Sequence, residues 1–510
     1  MNYILDNINA KLWDGNMVFL YGDESAERAL PLNRKELEMI KARREEEKDF
    51  VEVFDRLPWR LYFVSFDSER EAADAQERLR CTAMKVLKML TAKGDADVAV
   101  CAEGTLPEEV SAFVEGLTLA DYSFDRYMSK PVHHLGTVTI DAMYLKQEEL
   151  GASMRLWNRI FWCREWVNLP VADLNAPAFA DELAAIAADL EGVTCTVMDK
   201  KQIESLRMGG LLAVNKGSVD EPRFVVLEYN GISSEFGTRS SEFPGAATMT
   251  PNSELRGVPS AQPTTPNSPI CLVGKGIMYD TGGLNIKTGD YMCEMKSDMA
   301  GAATMASVLF AAADNKLPVH IVALLPLTDS RLNGNAYAPD DILTMYDGTT
   351  VEVNNTDAEG RLILADAIAY AAKNYNPSVI IDAATLTGAA VRAISTFGIA
   401  AMQQNADGPM TMLKLVGNQV YERLVEFPMW REYDEMVKGE LADLRNSTRS
   451  PQAGTITAGK FLAHFAGKVP FVHLDIAGVA YFSKPQQYYR IGGSGYGIRL
   501  LYAFLQMQYK

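Results

Sequence analysis

No run of apolar residues in this 510-residue chain approaches the ~18 needed to cross a bilayer as a helix. Met1 to Asp14 carries no basic-then-apolar leader pattern either, so the expected location is the cytoplasm, with no membrane partner. Positive charge is short. Lys and Arg number 49 against 66 Asp and Glu, a net charge of −17 that disfavours attachment to nucleic-acid phosphates. Cysteine is sparse and scattered: Cys81, Cys101, Cys163, Cys195, Cys271 and Cys293 form no Cys-x-x-Cys pair and read as buried thiols of a reducing compartment. There are only five histidines (His133, His134, His320, His464, His473), and none falls in the two segments singled out below. No Gly-Lys-Ser/Thr stands at phosphate-loop spacing, which leaves an isolated Gly-x-Gly with little weight as a nucleotide signal. The rest is ordinary for a globular protein: 48% hydrophobic, 23% charged, and long enough for two or three domains with substantial cores.

Against that background the octapeptide Asn355-Thr356-Asp357-Ala358-Glu359-Gly360-Arg361-Leu362 stands out. Asp357 and Glu359 put two hard oxygen ligands one residue apart, where a strand-like run (Thr349 to Val353) gives way to a helical one. Side chains two apart in an extended segment share a direction, so both carboxylates are expected to reach one cation or two adjacent ones. An acidic helix start, favoured by the macrodipole, accounts for the pair equally well. A second segment, Val273 to Lys287 followed by Met295 to Gly301, decides between these readings. It places Lys275, Asp280, Lys287, Lys296 and Asp298 among glycines, after an apolar strand-like run from Ile270 to Val273. Glycines there let the backbone turn tightly and approach a crowded site. Lys275, Asp280, Asp298, Asp357 and Glu359 would then offer five ligating groups to a metal pair.

Both segments resemble the leucyl aminopeptidase (cytosol aminopeptidase) family of dinuclear zinc exopeptidases. The octapeptide matches that family's motif without change, and the Val-Gly-Lys-Gly-Ile-x-x-Asp-x-Gly-Gly-x-x-x-Lys pattern fits as well. Further matches follow in order at Ala384 to Ala389, Ala442 to Asn446, Thr457-Ala458 and His473 to Gly478. The resemblance covers roughly residue 155 to the C-terminus and is only general before that. It implies that Asp280 and Glu359 bridge two divalent ions about 3.5–4 Å apart. Asp357 would complete one site, and Asp298 with a neutral Lys275 the other; a lysine merely paired with these aspartates is the alternative. Lys287 would stabilise the oxyanion, and Arg361 with Leu386 would hold a bicarbonate that relays a proton. Met295, Thr385 and Ala477 would line an apolar pocket, giving a leucine-like preference rather than strict selection.

The resemblance thus implies an aminopeptidase acting on short peptides. Its ions would be zinc first, with manganese, cobalt or magnesium as alternatives, and it would assemble as a homohexamer. A narrow dipeptidase of the Cys-Gly type and a non-catalytic or DNA-binding role on the same scaffold stay open, although all seven metal and catalytic positions are filled. The expected fold is α/β. A smaller N-terminal macro-like domain (1–150) without catalytic residues, suited to an assembly role, is joined by a linker helix (151–170) to a larger catalytic domain (171–510). Apolar, mostly β-branched runs at Phe224 to Tyr229, Ile270 to Val273, Val319 to Leu325 and Val379 to Ile381 predict a largely parallel sheet with helices on both faces. Sites in such sheets open at the carboxyl ends of strands, where Lys275 and Asp357 are expected. Two departures from the family pattern stand out. One is a Ser-, Thr-, Pro- and Gly-rich stretch between Asn230 and Pro269. In the other, Asp329-Ser330 and Ala338-Pro339-Asp340-Asp341 stand where relatives carry Glu-Asn and Arg-Pro-Gly-Asp.

Overall fold

The computed structural model describes residues 1–22, 30–232, 268–448 and 450–508. Most of the stretch between Asn230 and Pro269, from 233 to 267, therefore lies outside the described residues. The chain forms two compact units. The first takes Met1–Trp157 and Ser483–Ile491; the second takes the described residues from Asn158 to Phe482 and those after Gly492. The division falls inside one helix, Gln147–Asn168.

In the first unit, Met17–Tyr21 is a five-residue strand buried along its whole length, as a strand covered on both faces must be. It sits inside a six-stranded sheet ordered Asn2–Asp6, Thr137–Asp141, Val98–Glu103, Met17–Tyr21, Arg60–Ser65, Phe50–Asp55. All neighbours are parallel except the last pair. The apolar runs Arg60 to Phe66 and Ala96 to Val100, with helical spacing from Glu69 to Lys93 between them, predict strand, helix and strand, and these form as Arg60–Ser65, Ala72–Lys93 and Val98–Glu103. That helix packs on Pro107–Asp121, and the approach is so close that a Cβ at Gly116 would lie 2.4 Å from the Cα of Arg80. The charged run from Lys35 to Asp49, whose mixed signs predict a solvated helix, falls mostly in Arg34–Glu46, which an Asn33/Glu36 capping box opens. One of its charges departs from expectation: Arg44 is buried and donates to Ser65 Oγ and Gly22 O, because the ends of the neighbouring strands need donors there.

The second unit is built on a nine-stranded sheet. Phe471–Asp475, Val379–Ala384, Ile270–Gly274 and His320–Ser330 run parallel through its centre. Gly276–Asp280 adds a further parallel pairing to the far end of His320–Ser330. The expected strand at Phe224 to Tyr229 is present as Arg223–Asn230 but runs antiparallel, as do Val193–Met198 and Ile399–Gln404 against their inner neighbours. The sheet is thus parallel at its buried centre, with antiparallel pairs joining the centre to both flanks; on one of them Ile399–Gln404 pairs in parallel with the outermost strand, Leu424–Glu426. Ala300–Asp314 covers one face, and its small side chains are buried from Ala300 to Ala313. Gly360–Tyr375, with Gly454–Ala466 and Gly209–Asn215, covers the other; Leu362, Ile363 and Ile368 join Cys271, Val273 and Ile380 in one apolar core. No helix among the described residues is long and apolar enough to cross a membrane. All six cysteines are free, but only Cys101, Cys163 and Cys271 are buried. Cys293 is exposed because it ends a short 3-10 turn, Gly289–Met292, at the surface.

One buried carboxylate anchors the C-terminal helix Ile498–Met507. Glu422 accepts from the N–H groups of Gly497 (2.8 Å) and Leu500 (2.9 Å) at the helix start and pairs with the buried Arg499 at 3.1 Å. Removing it leaves a guanidinium and two helix-end donors without their partner in the interior. Glu422→Ala is expected to lower stability by about 3–5 kcal/mol, read as a fall in the denaturant midpoint of the folded protein.

Candidate metal centre

The strand Ile270–Gly274 ends in a crowded place. A Cβ on Gly274 would lie 2.6 Å from the Cα of Ala302, and one on Gly301 would lie 2.1 Å from the carbonyl oxygen of Ala383. Only glycine lets the start of the helix Ala300–Asp314 press against two strand ends. Lys275, the next residue, donates its N–H to Ala383 O (3.1 Å), and its carbonyl accepts from Ala302 N (2.8 Å). With its backbone clamped, the Lys275 side chain runs past Gly360, where a Cβ would sit 2.3 Å from Cε. Its ammonium reaches Asp298 Oδ1 at 2.8 Å, Glu359 Oε1 at 3.1 Å and Thr385 O at 3.0 Å. The glycines of this segment thus serve close approach of backbone and side chain.

Asp280 closes the strand Gly276–Asp280, and the chain turns sharply at Gly282 and Gly283, both with positive φ. Lys287 comes back from that turn to within 2.7 Å of Asp280 Oδ2 and 2.5 Å of Asp357 Oδ1. Ligating oxygens of Asp280, Asp357 and Glu359 lie within 4.8 Å of one another. Two lysine-centred groups, Lys275–Asp298–Glu359 and Lys287–Asp280–Asp357, therefore meet in one pocket. Asp298 and Glu359 each stand at the beginning of a helix, Ala300–Asp314 and Gly360–Tyr375, on opposite faces of the sheet.

The octapeptide departs from expectation in how it brings its two acids together. Its strand is only Thr350–Glu352, and Glu359 is in a right-handed helical conformation as the N-cap of Gly360–Tyr375. Convergence comes from a turn, with Ala358 N donating to Asn355 O (3.2 Å), and not from the alternation of an extended segment. That turn is fixed by residues to which the sequence reading gave no role. Asn446 Oδ1 accepts from Asn354 N (2.8 Å), and its Nδ2 donates to Asn355 O (2.7 Å). Thr356 exchanges hydrogen bonds with Gly282 O (2.6 Å) and with Asn285 N and Oδ1 (2.8 Å each), stapling the two motif segments together. Tyr337 Oη donates to Thr356 O at 2.6 Å. Asn446 does close the Ala442 to Asn446 match, but Tyr337 and Asn285 gave no signal beyond their proximity to motifs.

The electrostatics are those of charges taken out of water. Burial pushes the Asp280 carboxyl well above its usual range, and the charges of Glu359 and Asp298 push the same way. Burial likewise raises Asp298, to about 6, and raises Asp357. Burial opposes ionisation of Glu359 too, but Lys275 and Lys287 outweigh it and hold this carboxyl below its ordinary value. Burial lowers both lysines, and the surrounding carboxylates more than reverse it, so both stay charged with the side chains alone. Four carboxylates outnumber two ammonium groups, and the buried Asp298 Oδ2 and Glu359 Oε2 have no hydrogen-bond donor among the described residues. An excess of buried, unsatisfied hard oxygen donors fits divalent cations.

Arg361, one residue into its helix, stands apart from the carboxylates. It donates Nη1 to Asn446 O (2.8 Å), its buried Nε has no partner among the described residues, and burial lowers it to about 10. Thr385 Oγ1 donates to Asp298 Oδ1 at 2.7 Å, which places that residue at the cluster. Leu386 and Ala477 are half-buried, and both donate N–H to Asp475 Oδ1 at 3.2 Å. Met295 lies in the 3-10 turn Met295–Ser297, where its carbonyl accepts from Asp298 N (3.2 Å).

Residues 161–238 and 258–502 match the family described as the cytosol aminopeptidase family, catalytic domain. A probable cytosol aminopeptidase of Geobacter sulfurreducens is 37% identical over 445 residues, covering 85% of this chain and 82% of its own length. One from Syntrophotalea carbinolica is 38% identical over 412 residues, 79% of this chain and 76% of its own. Among solved structures, the bottromycin maturation enzyme BotP in complex with Mn aligns with a TM-score of 0.79 at 26% identity, over 97% of this chain and all of BotP. A mutant of tomato leucine aminopeptidase shares the fold, with a TM-score of 0.81 at 24% identity over 99% of this chain and 96% of its own. The match runs through both strand ends and both helix starts that carry the buried acids, and it settles the class of the molecule. The chain belongs to the cytosol aminopeptidase family and is a hydrolase of the peptidase type.

Proposed function

We propose that this enzyme removes N-terminal residues, with a leucine-like preference, from short peptides, and that it depends on two divalent ions per subunit. The observation that carries the reading is the convergence of Lys275, Asp280, Asp298, Asp357 and Glu359 in one buried pocket with oxygen atoms left unsatisfied. Lys275, Asp280, Asp298, Asp357 and Glu359 would hold the ions, Asp280 and Glu359 serving both, Asp357 one, and Asp298 with Lys275 the other. Zinc or manganese suits such a donor set, and the manganese named for BotP supports a divalent ion. Divalent ions held there would supply Lewis acidity towards a peptide carbonyl and lower the pKa of a nucleophilic water.

The chain's own residues do the rest. Lys275, now paired with Asp298 and Glu359, has to give up its proton to serve as a donor, which nearby cationic charge favours. Lys287 keeps its proton and donates to the carbonyl oxygen as negative charge gathers there. The Nε of Arg361, which has no partner among the described residues, and the loop at Leu386 would suit a bicarbonate, which would supply a proton acceptor. Met295, Thr385 and Ala477 line the pocket for the N-terminal side chain. The same reading carries a cytoplasmic homohexamer, with the N-terminal unit in an assembly role.

The first test is leucine release from a leucyl chromogenic amide by metal-loaded protein, by chelated protein and by Glu359→Ala. Release is expected only from the first, with the variant's bound metal reduced as read by elemental analysis; equal release from all three would refute the bridging role. Lys287→Ala is expected to keep its metal and lose about 10²–10³ in kcat, as when an oxyanion donor is removed. Loss of metal along with activity would show instead that Lys287 serves the cation site.

A further inference from the structure

Asp475 is the last residue of the strand Phe471–Asp475, opposite Ala384 at the end of its parallel neighbour. It is 1% exposed, and the chemistry above assigns it no step. Its carboxylate nevertheless collects five hydrogen bonds from two loops and the start of the helix Gly454–Ala466. Oδ1 accepts from Leu386 N (3.2 Å), Thr387 N (3.4 Å) and Ala477 N (3.2 Å). Oδ2 accepts from Thr387 Oγ1 (2.7 Å) and Thr455 Oγ1 (3.2 Å). A neutral side chain of the same size offers one acceptor oxygen and could not satisfy this set.

The segments gathered in this way are not remote from the pocket. The residue before Leu386 is Thr385, whose carbonyl accepts from Lys275 Nζ (3.0 Å) and whose hydroxyl donates to Asp298 Oδ1 (2.7 Å). Thr387 passes the restraint onward as the N-cap of the helix Gly388–Ile394, its Oγ1 accepting from Ala390 N (3.1 Å). Ala477 belongs to the loop that leaves the neighbouring strand. Two loops from adjacent strands thus share one buried anchor, and their separation is set by it.

We infer that Asp475 is a positioning residue that fixes the distance between the Thr385 and Ala477 walls and thereby sets the preference for the N-terminal side chain. The inference rests on the proposed aminopeptidase reading. On this reading a leucyl group would reach both walls and an alanyl group would not, so loosening the walls would cost the larger side chain more. The loss expected for removing such a supporting partner is about 10–100-fold.

The test measures kcat and KM for leucyl and alanyl chromogenic amides with the metal-loaded parent, Asp475→Ala and Asp475→Asn, with bound metal determined on each. The expected result for Asp475→Ala is a fall of about tenfold or more in the leucyl-to-alanyl ratio of kcat/KM, carried mainly by KM, with bound metal unchanged. Asp475→Asn, which keeps one acceptor, should recover part of the ratio. Should Asp475→Ala fail to fold, Thr387→Val removes the shortest of the five bonds and is expected to shift the ratio in the same direction. An unchanged ratio, or equal losses on both amides, with an active parent overturns the inference alone. A parent that releases neither residue overturns the aminopeptidase reading and the inference with it.

Discussion

Taking several carboxylates out of water in one place is the constraint on which this structure turns. Each such group would cost several kcal/mol if left uncompensated, and Asp280, Asp298 and Glu359 are all nearly inaccessible. Lys275 and Lys287 offset part of that cost, each bridging two acids drawn from different segments of the chain. Everything nearby serves to hold those five or six side chains at fixed separations. The glycines at 274 and 301 bring strand ends against a helix start, and Asn446 and Thr356 tie down the loops that a helix or strand could not reach.

The sheet explains why the acids can come from three stretches of sequence and still meet. Parallel central strands deliver their ends to one edge, and the connections leave from the same edge. Two helices begin there, one over each face, with Asp298 and Glu359 at their starts. The positive ends of both helix dipoles fall on the acidic cluster, a favourable contribution of the kind that places anions at helix N-termini. Antiparallel strands are confined to the flanks and contribute nothing to the pocket.

Much of this was legible in the sequence, and the illegible parts have a physical reason. The central strands Ile270–Gly274 and Val379–Ala384 showed as apolar β-branched runs because burial on both faces leaves no room for alternation. Direction was not legible: Arg223–Asn230 is as apolar as its parallel neighbours yet runs against them, because pairing sense depends on the connection and not on composition. At the site, residue types pointed to the acids and lysines, whereas the geometry that unites Asp357 with Glu359 is a turn and not an extended segment. The residues that hold the site, Asn446, Thr356, Tyr337 and Asp475, act through scattered hydrogen bonds, most of them to backbone, and such contacts leave no periodic trace.

Gly360 belongs to the octapeptide, yet no unusual backbone angle requires glycine there; it opens a regular helix. What excludes any other residue is the stem of Lys275, 85 positions earlier, which fills the space a Cβ would take. The two positions therefore form one unit of heredity. A chain that exchanged the lysine for something shorter would be released from the glycine. One that kept the lysine could take alanine at 360, favourable as it is to a helix, only by moving the lysine stem off its three partners. Two motifs that look like separate signatures are in this sense a single one, written in two places and joined by a shared volume.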